Sequence, residues 1–121
     1  MKILFDQNVP RALVSYLTKH EVVRSAELGW EELRNGELLL KSEDAAFDVL
    51  ITCDQNLEYH QRVTDRKIGI IALSTNNWPV MRRYLDAIAN AVDGIGPGVY
   101  VPVNCGTFQP RKRSGRLSEL E

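Results

Sequence analysis

Asp48-Val49-Leu50-Ile51-Thr52-Cys53-Asp54 is the stretch on which the fold turns. Five apolar or β-branched residues stand between the aspartates, a run of strand length with no alternation of polar and apolar positions. Such a run reads as a central strand covered on both faces. A layer of helices is therefore expected above and below a mainly parallel sheet.

Working outward, Lys2-Ile3-Leu4-Phe5 repeats the pattern near the N-terminus and is broken in the same way, by Asp6-Gln7-Asn8-Val9-Pro10. From Pro10 the positions Leu13, Val14 and Leu17 follow a helical spacing, and proline suits a first turn because it has no N–H to leave unpaired. That helix is expected to end near Lys19 and His20. Glu21-Val22-Val23-Arg24-Ser25 is short and β-branched, as a second strand should be, with a loop at Leu28-Gly29-Trp30. Asn35 is a good N-cap for a helix through Leu38-Leu39-Leu40 to Ala45-Ala46-Phe47, with Glu37 in its first turn. Beyond the central strand, a short polar helix is expected from Asn56 to Val63, a buried strand from Ile68 to Leu73 and an amphipathic helix from Pro79 to Val92. A last strand follows at Val99-Tyr100-Val101. This alternation predicts a three-layer α/β/α fold, a mainly parallel five-stranded sheet with right-handed crossovers and helices on both faces.

The chain has 121 residues, 44% of them hydrophobic, which is enough for one continuous core. Its formal net charge of -1 is unlike that of a dedicated, strongly basic nucleic-acid binder. Residues 104–121 hold Arg111, Lys112, Arg113 and Arg116 against Glu119 and Glu121, so a tail of +2 on a chain of -1 leaves a body near -3. The expected organisation is a domain over residues 1–103 and a basic C-terminal tail over 104–121. Two cysteines, Cys53 and Cys105, have no zinc or disulfide spacing, which fits a reducing, cytoplasmic setting. No secretory leader is apparent, and no apolar stretch approaches the roughly 18 residues of a membrane span.

Asp6 and Asp54 each follow an apolar strand, so a parallel sheet brings both carboxylates to one edge. Two carboxylates in a partly dry cleft repel; either one pKa rises or a cation is recruited. Mg2+ or Mn2+ takes oxygen ligands while keeping several waters, and Asn8 and Asn56, each two residues beyond its aspartate, could add amide oxygens. Glu37 would supply a third carboxylate from a helix start. Asp6, Asn8, Asn35 and Glu37 read equally as turn and helix-start residues. Ser74, Thr75, Asn76 and Asn77 follow the fourth strand and either border the same edge or cap the next helix. Trp30 and Trp78 are expected to pack against the body, Cys53 to point into the core, and His20 and His60 to be solvated.

With these residues in view, the chain resembles PIN-like domains related to VapC-type toxin ribonucleases. The likeness is to a compact subgroup that opens with a strand and a D-x-N-x-P segment, here Asp6-Gln7-Asn8-Val9-Pro10. It continues through Asn35-Gly36-Glu37-Leu38-Leu39 and Leu50-Ile51-Thr52-Cys53-Asp54-Gln55-Asn56-Leu57 and covers residues 1 to about 75. The resemblance implies a hydrolase: a Mg2+- or Mn2+-dependent nuclease cutting RNA, with Asp6, Glu37 and Asp54 as the acidic site and restraint by a small antitoxin. It also makes a homodimer plausible. The chain departs from the subgroup at Asn56 and Asn35, where acids are usual, which makes the pocket less negative. Substrate contacts are expected from Arg11, Lys41 or the tail. Two alternatives stand beside this one. An inactive PIN-like module could act through a protein partner. A receiver-like phosphoacceptor could use Asp54 and Ser74, although Gln7 stands where receivers carry a second acid and no lysine follows the fifth strand.

Overall fold

The computed structural model describes residues 1–33, 35–54, 64 and 66–106, with Asn35 described by its backbone alone. Five strands form one sheet: β1 (Lys2–Phe5), β2 (Glu21–Arg24), β3 (Val49–Thr52), β4 (Gly69–Leu73) and β5 (Tyr100–Val103). Their order is β2-β1-β3-β4-β5, and every neighbouring pair is parallel. The sheet is thus wholly parallel, with β3 at its centre and each β3 residue buried, as the unbroken apolar run predicts.

Successive residues of a strand point to opposite faces, and this divides the core in two. Ile3, Phe5, Ile51 and Ile71 cluster with Leu13 and Leu17 from the segment after β1 and with Met81, Ile88 and Val92 from the segment after β4. Leu4, Leu50 and Ile70 cluster instead with Leu38, Leu39 and Phe47, which lie between β2 and β3. The arrangement agrees with a three-layer α/β/α fold.

The covering segments are less regular than their apolar spacing predicts. After β1 the chain forms a 3-10 helix, η1 (Arg11–Tyr16), that stops well short of His20. Leu13 N donates to Pro10 O and Leu17 N to Val14 O, both at 3.1 Å, the short-range bonds of a 3-10 turn. No side chain caps its start, and a segment this short has little intrinsic stability as an α-helix. A second 3-10 turn, η2 (Ser25–Leu28), removes Ser25 from the expected strand and ends at Gly29, whose φ of 72° lets Trp30 N reach Ser25 O. Helix α1 (Asn35–Asp44) begins where expected but ends before Ala45. The amphipathic segment after β4 is α2 (Trp78–Met81), η3 (Arg82–Tyr84) and α3 (Leu85–Gly94), interrupted at Tyr84, where φ is -122° and ψ is 26°. The short helix expected over 56–63 lies outside the described residues.

Both edges of the sheet are blunted. On β5, the carbonyls of Val99 and Val103 accept from Ile70 N and Ser74 N, so Pro102 stands at an outward position, where a missing N–H costs no ladder bond. On β2, Glu21 N donates to Met1 O, which by alternation turns the N–H of Arg24 outward; Glu27 Oε2 accepts it at 3.0 Å. The packed chain continues past Val103, since Cys105 is fully buried and its N–H donates to Ser74 Oγ at 2.9 Å. Among the described residues, no helix is long and apolar enough to cross a membrane.

Candidate functional site

A doubly wound sheet opens a crevice beyond the C-terminal ends of its strands where the strand order reverses. Here the chain leaves β1 toward β2 on one side, and leaves β3 toward β4 on the other, so the crevice lies between β1 and β3. Asp6 follows β1 and Asp54 comes two residues after β3.

The register continues into the site. Phe5 stands beside Ile51, Asp6 N donates to Ile51 O at 2.9 Å, and Asp6 therefore lies across from Thr52. The buried Thr52 hydroxyl donates to Asp6 Oδ2 at 2.9 Å and accepts from Asp54 N at 3.0 Å. One hydroxyl thus joins the carboxylate of the first aspartate to the backbone of the second. Gln7 N donates to Asp6 Oδ1 at 2.8 Å, so both oxygens of this nearly buried carboxylate are oriented. Asp54 is exposed.

Asn8 braces the same crevice. Its Oδ1 accepts from Cys53 N at 3.0 Å and ties the turn after β1 to the end of β3. Asn56 and the side chain of Asn35 lie outside the described residues. Glu37 is exposed in the first turn of α1 because the next two residues, Leu38 and Leu39, face the core. It lines a separate groove with Trp30, Leu40, Lys41 and Asp44. Among the described residues, no three His, Cys, Asp or Glu side chains come together in a way that could hold a metal ion, so Glu37 does not close a triad with the two aspartates. Asp6 and Asp54 carry oxygen donors, the ligand type that a hard cation takes.

The residues after β4 have structural partners. Ser74 Oγ donates to Gly106 O and accepts from Cys105 N, which joins β4 to the chain after β5. Thr75 Oγ1 accepts from Asn77 N, and Asn77 Oδ1 caps α2 by accepting from Val80 N, each at 3.1 Å. Cys53 Sγ donates to Thr75 O at 3.4 Å; burial, with the nearby Cys105 and Asp6 adding to it, pushes the thiol up to about 12. Trp30 packs edge-on against Phe47 and Trp78 lies 5.6 Å from Tyr16, as packing residues do. His20 is within 3.3 Å of the N-terminal amine and 3.7 Å of Asp93, a partnered position rather than a solvated one; His60 is outside the described residues. Arg11 is exposed at the start of η1 and shares a groove with Arg24.

Thr52 is a site residue that sequence reasoning missed. A threonine at the end of a strand looks like an ordinary β-former, and only the β1–β3 register shows what it faces. No family model, curated protein or solved structure matches this chain.

Proposed function

We propose that this protein is a metal-dependent ribonuclease of PIN-like kind, hydrolysing RNA phosphodiester bonds at the crevice between Asp6 and Asp54 and restrained by a small antitoxin partner. The observation that supports this is the pair of aspartates at the topological switch of the sheet, linked through the Thr52 hydroxyl. Asp6 and Asp54 would hold Mg2+ or Mn2+, which when bound lowers the pKa of water and offsets charge on the phosphate. The protein's own part is positional. Thr52 and Gln7 fix the plane of the Asp6 carboxylate. Asn8 keeps the β1 turn against β3, and the exposed Asp54 meets the arriving phosphodiester.

Calorimetric titration with Mn2+ and Mg2+, followed by an RNA cleavage assay, tests the proposal on the wild type and Asp6→Asn. Metal affinity and cleavage are both expected to disappear in the variant. Full cleavage by purified Asp6→Asn would sink the proposal, and a folded wild type with no divalent affinity would favour the inactive partner-binding module. One observation favours the receiver-like alternative: the strand order is the one receiver domains use. Failure to form an acyl phosphate on Asp54 with a small phosphodonor removes it.

A further inference from the structure

We infer that the groove between η1 and the edge strand β2 holds the sugar–phosphate backbone of single-stranded RNA beside the Asp6–Asp54 crevice, an inference that rests on the ribonuclease proposal and gives its substrate a path. The groove has a volume of about 820 Å3, and its lining includes Arg11, Val14, Ser15, Val22, Arg24 and Glu27. Arg24 Nε lies 3.5 Å from Glu27 Oε2, while Arg11 has no ion-pair partner among the described residues. Two guanidiniums against one carboxylate make this groove positive on a chain whose net charge is -1. A guanidinium presents a planar fork of donors that matches phosphate oxygens.

Position selects a nucleic-acid backbone over an acidic protein segment. Arg24 is in register with Phe5, the residue before Asp6, across a strand spacing of about 4.8 Å. Arg11 follows directly on the turn from Asp6 to Pro10. Both arginines therefore stand at the end of the sheet that carries the carboxylates, on the face covered by η1. Val22 shares that face with Ile3, whereas Thr52, one residue beyond Ile51, turns to the other. A strand of RNA held in the groove crosses the β1 turn to bring its next phosphate over Asp6. Val14 and Val22 supply an apolar wall without an aromatic platform, which suits contact with the backbone and tolerates any base.

The test is fluorescence anisotropy of a labelled uridine oligonucleotide with the full chain, in a chelator so that binding is read without cleavage, across a salt series. The Arg11→Ala/Arg24→Ala double variant is expected to bind more weakly. Its log–log salt slope should fall by about 0.7 for each arginine that contacts a phosphate. Glu27→Gln keeps an oxygen to accept Arg24 N–H but removes the charge, and is expected to bind more tightly. Arg82→Ala/Arg83→Ala, two exposed cations outside the groove, changes the net charge equally and is expected to leave the slope unchanged. Equal losses in the two double variants, no oligonucleotide binding by wild type, or arginine-dependent binding of polyglutamate in place of RNA would each overturn the inference. The ribonuclease proposal fails separately: groove-dependent binding with no cleavage in Mn2+ leaves the groove standing and removes the nuclease.

Discussion

The hydroxyl of Thr52 does two jobs in a space that water does not reach: it donates to Asp6 and accepts from Asp54 N–H. Thr52→Val keeps the shape and removes both bonds, and loss of a buried hydrogen bond to a carboxylate costs about 1.5–3 kcal/mol. Urea unfolding of the variant should show a lower midpoint at unchanged slope, and RNA cleavage should fall with it; an unchanged midpoint would mean Asp6 finds another donor. Cys53 gives a prediction in pH. Its thiol is raised from an ordinary 9.0 to about 12, so the folded state keeps a proton that the unfolded chain gives up first. Its contribution to stability is fully present below pH 9 and is lost as pH rises toward 12. Thermal unfolding across that range should fall less steeply in Cys53→Ala than in wild type, with the raised phenol of Tyr100 common to both. At this scale the sequence was legible where charge meets a strand end, at Asp6 and Asp54. It was not legible at Thr52 or Arg24, whose roles come from what stands on the neighbouring strand.

At the scale of elements, strands were easier to read than helices. β1, β3 and β4 fall within a residue of their apolar runs because burial on both faces leaves a dense, unambiguous signal. The covering segments carry a helical apolar stripe in η1 and α3 alike, but the stripe reports which side faces the sheet and not whether the backbone closes on the third residue or the fourth. A cap does not decide that either, since η1 and α3 both start without a side-chain cap bond and only α3 closes as an α-helix. Loops between elements also gain hold from single side chains. Glu43 of α1 accepts from Lys67 N at 2.7 Å and from Arg66 Nη1 at 3.1 Å, and clamps the approach to β4. The Lys67 backbone bond first, and then the Arg66 guanidinium, overcome burial and hold this carboxyl below the usual range. A lowered pKa contributes stability above the ordinary carboxylate value and loses it as pH falls through the folded one. The melting temperature of Glu43→Gln should therefore lie below that of wild type at neutral pH and converge on it in acid; a constant gap would assign the clamp to neutral hydrogen bonding alone.

Over the whole molecule, two apolar clusters share one sheet and neither has its own backbone. Leu50 belongs to one and Ile51 to the other, on adjacent residues of the same strand and both without exposure. Each changed to alanine should cost about 2–5 kcal/mol and lower the same cooperative transition, since the layers cannot separate without dissolving β3. Two resolved transitions in calorimetry would show that the faces melt independently. The fold class was legible in the alternation of elements, whereas the order β2-β1-β3-β4-β5 was not, because no residue of β1 states which neighbours it will have. The crevice follows from that order alone.

The sheet has Pro102 on one flank and the Glu27 carboxylate on the other, and this gives it a fixed width. A flank without a usable row of donors offers no template for a stray strand, and this is how edge strands are kept from recruiting neighbours. Chains crowded together during synthesis thus meet as finished objects and not as seeds. Two copies that associate would do so through side chains and not by joining their sheets edge to edge.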